Sequence, residues 1–129
     1  MTQKHFRVQH HNEGGHTLVF AVSGHLIGSA EVYAFQEQVR SEIAQGAQRL
    51  VIDLSAIEVI NSSGIGILVG LMWSASQAGC GLALASLPPK VEKVLGLTKL
   101  LDHVAHAATV QEAMAKLEEK GHGQAAGGI

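Results

Sequence analysis

One cysteine, five aromatic residues and a near balance of charge limit what this 129-residue chain can be. Cys80 has no partner for an internal disulfide, which fits a reducing compartment. The aromatics (Phe6, Phe20, Tyr33, Phe35, Trp73) are too few to stack the bases of a nucleic-acid single strand. A formal charge of −2 supports neither a nucleic-acid binder nor a membrane-surface protein, since both usually need a concentrated basic patch. The longest apolar run, "GIGILVGLMW", is about half a membrane span. The opening "MTQKHFRVQHHNEGGH" has no apolar core of the kind a signal peptide needs. The expectation is a soluble, cytoplasmic chain with no nucleic-acid partner and no direct membrane insertion.

What is present is a folding composition. Apolar residues make up 47% of the chain and charged residues 16%, enough at this length for one sizeable, mostly aliphatic core. "FRVQHH" and "HTLVFAVSG" are β-leaning runs around the turn-rich "NEGG", the pattern of a hairpin. From Ser29 the period lengthens: Val32, Phe35, Val39 and Ile43 predict an amphipathic helix, capped by Ser29 and ended at Gly46. "RLVIDLS" is an almost continuous apolar strand, as in the middle of a covered sheet. A helix over roughly Ser63–Ala78 follows, and "GLALAS" is a fourth strand. "PPKVEKVLGL" starts a third helix with prolines, which its first turn tolerates. "HVAHA" is a weak fifth strand, and Thr109 and Glu112 stand in capping-box spacing ahead of a last helix. The order β-β-α-β-α-β-α-β-α predicts an α/β sandwich, with a mixed, mostly parallel sheet of four to five strands and about four helices. Residues 1–120 form one domain, and the Gly/Ala-rich stretch 121–129 reads as a mobile tail.

The chemistry concentrates where the third strand breaks, at Asn61-Ser62-Ser63-Gly64. Ser62 or Ser63 is placed to cap the following helix, stabilising it by about 1 kcal/mol. The same free N–H groups and helix dipole would favour a phosphate there. Asp53 is expected at the end of its strand, at the rim of this site. Gly64 and Gly66 keep the helix's first turn free of bulk. Ile65, Leu68, Val69 and Met72 form one apolar stripe, and Ile67, Leu71 and Trp73 extend it most of the way round, so the helix needs a neighbouring helix or a partner protein. The eight histidines show no zinc-site spacing, and neither a metal nor a cofactor is expected. Nothing basic flanks Cys80 to make it reactive.

The segment "DLS" followed by "NSSGIGILVG", with "VSGHLIGSAE" ahead of the first helix and "LPPKVEKVLGLTKLLDHV" after the fourth strand, resembles the STAS domain over residues 6–118. Within that family it is similar to the stand-alone anti-sigma factor antagonists. The resemblance implies a STAS-type sandwich and a non-enzymatic regulatory role switched by serine phosphorylation, with Ser62 as the phosphoacceptor. It implies two partners: an anti-sigma factor that is a serine kinase of histidine-kinase-like ATPase fold, bound by the unphosphorylated form, and a PP2C-type phosphatase. The partner surface it implies comprises His25, Ile27, Asp53, Asn61, Ser63, Gly64, Ile65, Gly66 and Leu68. Asn61 stands where the family has an acidic residue, and His25 and Ile27 stand where its turn has Glu and Asp. Two rivals remain open on sequence. One is a STAS module of a sensory scaffold or of a transport or lipid-trafficking system, binding a partner or small ligand without phosphorylation. The other is an enzyme using Ser62 as nucleophile with His25 as base.

Overall fold

The computed structural model describes residues 5–127, with side chains described up to 119. Five strands and four helices follow in the order β1 (Arg7–Gly14), β2 (Thr17–Leu26), α1 (Ala30–Ala44), β3 (Arg49–Ile60), α2 (Ser62–Gln77), β4 (Gly81–Ala85), α3 (Pro89–Leu97), β5 (Ala105–Ala107) and α4 (Val110–Gly127). A short 3-10 turn, Leu100–Asp102, lies between α3 and β5. The strands lie in chain order across one sheet, β1-β2-β3-β4-β5. β1 and β2 pair antiparallel, and every later neighbour pairs parallel, so the α/β sheet is mixed and mostly parallel. The hairpin expected from "NEGG" is therefore the first edge of the sheet, closed by Gly15 and His16. Both turn residues have positive φ, 58° and 65°, the twist that two-residue hairpin turns favour.

The first helix forms as its spacing predicts. Ser29 accepts a hydrogen bond from Val32 N–H at 3.3 Å, and Val32, Phe35 and Val39 are buried. α1, α2 and α3 cover one face of the sheet, where Phe20, Leu50, Ile52, Leu54 and Leu84 meet Phe35, Leu68, Leu71 and Leu95. Phe35 sits between Phe6 and Phe20, its ring centroid 5.5 and 5.9 Å from theirs. Such tilted and edge-on pairs add about 0.5–1.5 kcal/mol each beyond area burial. α4 alone covers the other face, with Ala113 and Leu117 over Val19, Val51, Ala83 and Ala85. Thr109 caps α4 by accepting from Glu112 N–H at 3.1 Å. α4 continues to Gly127, through the Gly/Ala-rich stretch that composition marks as a tail.

β3 differs from expectation. It runs to Ile60, five residues past "DLS", and its pairing with β2 slips twice. Ala21 pairs with Asp53 but Ser23 with Ala56, and Gly24 pairs with Ile57 but His25 with Val59. Each slip is a bulge that inserts one residue in β3, a device that re-aims a strand near its end. Here pairing with β2 resumes after each bulge and continues to Leu26 and Ile60, directly before α2 begins.

Candidate functional site

The site is the junction from β3 into α2. Asn61 has extended backbone angles (φ −124°, ψ −176°), and its side-chain oxygen accepts from Gly64 N–H at 3.0 Å. Asn61, and neither serine, is the cap. Three adjacent residues here are good cap formers, and the one left outside the helix is decided by where β3 ends. Ser62 is the first helical residue, exposed, with its hydroxyl outside the capping bond. The first turn of α2 carries no acidic residue, so the positive end of the helix dipole is uncompensated there.

Backbone contact fixes the junction. Asn61 N–H donates to Leu26 C=O at 3.4 Å, and Gly64 lies so close to the same carbonyl that a Cβ would stand 1.9 Å from its oxygen. On the adjoining side Ser63 faces the turn after β2. A Cβ on Gly28 would come within 3.2 Å of Ser63 Oγ and 3.6 Å of the Tyr33 hydroxyl. The two serines thus divide: Ser63 lies against the β2–α1 turn, and Ser62 leads the outward face of α2.

That outward face is specific. Ser62, Gly66, Val69 and Trp73 follow at intervals of four, three and four, and all are exposed, Val69 by 45% and Trp73 by 65%. The buried face is Gly64, Ile67, Leu68, Leu71 and Ala75, with Ile65 and Met72 half-buried at its margin. The neighbouring helix covers one flank: a Cβ on Gly70 would sit 2.9 Å from the Gln36 amide nitrogen, and Arg40 Nε donates to Ser74 Oγ at 3.1 Å. α1 therefore accounts for part of the helix's apolar surface and leaves Val69 and Trp73 uncovered.

Several residues expected at a partner surface lie elsewhere. Leu68 is 1% exposed and packs in the core, and Gly64 is buried under Leu26. Asp53 is mid-strand, paired with Ala21 and Ala85, and its neighbours Ile52 and Leu54 face the α1–α3 core, so its side chain alternates to the α4 face of the sheet. Its carboxylate accepts from Ser55 N–H at 3.0 Å, a local bond at the first bulge, and it does not reach the rim of the α2 site. Asn61, Ser63 and Gly66 are exposed, Ile65 and Ile27 half-buried, and all stay at the junction. His25 is also half-buried. Its Nε2 has no hydrogen-bond partner and lies 4.0 Å from a Glu58 carboxylate oxygen.

Among the described residues no histidine hydrogen-bonds Ser62 or Ser63; the histidine side-chain bonds run from His11 to Glu13 and from His10 to Gln38. Nor do three or more His, Cys, Asp or Glu side chains gather there as a metal would require. No helix is long and apolar enough to cross a membrane among the described residues. Cys80 is buried, its thiol pushed up to about 11 by burial, with the Arg49 charge acting in the opposite direction.

The STAS domain family matches residues 7–113. A Thermotoga maritima protein described as an anti-sigma factor antagonist is 35% identical over 89 residues, which cover 68% of this chain and 79% of the relative. A crystal structure from Thermotoga maritima, also described as an anti-sigma factor antagonist, superposes with a TM-score of 0.75 at 27% identity, covering 88% of this chain and 94% of that one. A sulfate transporter family protein of Wolinella succinogenes shares the fold at 11% identity and a TM-score of 0.68, covering 82% of this chain and 88% of that one.

Proposed function

The chain belongs to the STAS domain family, and from that premise we propose that it is an anti-sigma factor antagonist, a non-enzymatic protein switched by phosphorylation of Ser62. The observation that carries the reading is the position of Ser62: first in α2, exposed, free of the cap, and at the head of the stripe that continues through Gly66, Val69 and Trp73. A kinase can approach a hydroxyl that the fold does not use. The glycine four residues on leaves room beside it, since nothing lies within 4 Å of a Cβ built on Gly66.

The unphosphorylated form docks an anti-sigma factor, a serine kinase of histidine-kinase-like ATPase fold, on the outward face of α2. Val69 and Trp73 supply apolar contact, and Ser63, Ile27 and the β2–α1 turn flank it. Phosphate on Ser62 brings nearly two negative charges to the head of that face. Within the free protein they are tolerated, because the helix N-terminus is positive and carries no competing carboxylate. Buried unpaired against a partner they cost several kcal/mol, enough to release it. A PP2C-type phosphatase resets the switch.

The test uses the full chain incubated with ATP and lysate of its native organism, with sites mapped by mass spectrometry, and with Ser62→Ala and Ser62→Asp as baits. Phosphate on Ser62, and an ATPase kinase captured by Ser62→Ala but not by Ser62→Asp, is the expected result. No phosphate on Ser62, or equal capture by both baits, refutes the switch. The fold shared with a transporter-family protein then favours a STAS module that binds without phosphorylation.

A further inference from the structure

β1 has one neighbour in the sheet, β2, among the described residues, so the outward side of Arg7–Gly14 is a free edge eight residues long. All of its residues are exposed except Val8, which is half-buried. A free edge presents a row of unpaired backbone N–H and C=O groups, and proteins commonly block it with lysine, proline or a bulge. β1 contains neither lysine nor proline, and its one irregularity is a bulge at Glu13, next to the turn, where that residue has no partner on β2. The opposite edge, β5, is only three residues long.

We propose that β1 is a self-association surface, pairing antiparallel with β1 of a second copy of this chain so that two sheets become one. The symmetry restricts the register. The two copies are related by a twofold axis normal to the sheet, and directly opposed residues must point to the same face. Side chains alternate along a strand, so only registers that oppose odd to odd and even to even positions are possible. With His10 opposite its own counterpart, Arg7 stands against Glu13, Val8 against Asn12 and Gln9 against His11. Glu13 is bulged, but its carboxylate bonds the ring of His11 two residues back, which keeps it on the odd-numbered face, so the Arg7–Glu13 pair then forms twice between exposed side chains on one face. The neighbouring registers lose it: with His11 opposite itself Glu13 meets Gln9, and with Gln9 opposite itself Arg7 meets His11. Glu13 can serve both contacts, because His11 Nε2 of its own chain takes Oε2 and leaves Oε1 free. Opposite charges directly across a strand pair favour that register, and like charges oppose it. The surface is separate from the outward face of α2, so the proposal stands or falls independently of the role of Ser62.

Sedimentation equilibrium of the full chain over a concentration series tests it. The wild type should fit a monomer–dimer equilibrium. Arg7→Glu and Glu13→Arg should each weaken the dimer roughly tenfold or more, because two attractive pairs become two repulsive ones. The double variant Arg7→Glu/Glu13→Arg should recover to within about threefold of the wild type, since the pairing is restored with its signs exchanged. Circular dichroism checks that each variant is folded. A monomer at every concentration, a dimer indifferent to both single reversals, or a double variant that fails to recover overturns the proposal.

Discussion

A single methyl group at position 64 tests the geometry of the α2 junction more sharply than any polar change. A Cβ there would lie 1.9 Å from the Leu26 carbonyl oxygen, 2.8 Å from its carbon and 3.1 Å from Leu26 Cγ. The obstacle is mainly backbone, so no side-chain rotation relieves it. Leu26 is held by its register with Ile60 and by the hydrogen bond it accepts from Asn61 N–H. To admit the methyl, α2 must retreat by roughly an ångström and open its own first turn. Overpacking of this kind costs about 1–3 kcal/mol, with rigid sites at the upper end. Alanine returns about 1 kcal/mol through helix propensity. The net expectation for Gly64→Ala is a loss of about 2 kcal/mol. The same substitution two residues on meets open space, since nothing lies within 4 Å of a Cβ on Gly66. Gly66→Ala should therefore stabilise by about 0.5–1 kcal/mol. Urea unfolding followed by circular dichroism reads the difference directly. With m of about 1–3 kcal/mol/M, the two midpoints should separate by about 1 M or more. Equal midpoints, or a Gly64→Ala protein as stable as the wild type, would mean that α2 does not rest on the end of β2, and the site described above would be wrong.

Asn61→Ala should cost about 1 kcal/mol in the same assay, whereas Asn61→Asp keeps the cap and should match or exceed the wild type by a few tenths, because a negative charge suits the helix start. A loss of the Asn61→Ala size from Ser62→Ala instead would return the cap to the serine. Trp73→Ala should change stability by less than about 0.5 kcal/mol, its side chain being largely exposed, yet weaken capture of an ATPase kinase several-fold in a pull-down. Unchanged capture would place the partner elsewhere. Burial raises the Cys80 thiol from 9.0 to about 11, so the fold favours its neutral form. That contribution is intact below pH 9 and is lost as pH rises from 9 to 11, and Cys80→Ala should flatten the alkaline limb of a stability–pH profile. An alkaline limb identical in both proteins would assign that loss to other groups.

The sequence made α1 and α4 legible because each has one apolar stripe and one cap with a single candidate. Val32, Phe35 and Val39 bury as their spacing requires, and Ser29 and Thr109 cap as their positions require. α2 defeated the same reasoning. It is apolar nearly all round, so periodicity could not choose its buried face, and the stripe through Ile65, Leu68, Val69 and Met72 is rotated from the observed one. Part of what sets the face is a residue with no side chain: Gly64 against a carbonyl, which hydrophobicity cannot register. The end of β3 was hidden for a different reason. Polar Asp53 and Ser55 look like a strand end, yet here they sit at a bulge, and pairing resumes beyond them. Read as a terminus, Asp53 is expected at the rim of the α2 site, whereas it lies mid-strand with its side chain on the α4 face. The position of Ser62 was legible, but its independence from the cap was not.

From Arg49 to Asp53 β3 is hydrogen-bonded on both sides, and its Val51 and Ile52 touch the two opposite cores; beyond Asp53 it pairs with β2 alone. Amide protons in such a strand exchange only when most of the molecule opens, whereas those of an exposed edge exchange through small, frequent fluctuations. α2 is joined to the centre of that strand by the bulged stretch to Ile60, and its start is pinned by the Asn61 N–H bond to the Leu26 carbonyl and by the close approach of Gly64 to the same group. A chemical change at that hydroxyl meets little give behind it, and its effect is directed outward into solvent or a bound protein and not absorbed by rearrangement within. The phosphate proposed at Ser62 would then alter the charge of the outward face of α2 without altering its shape.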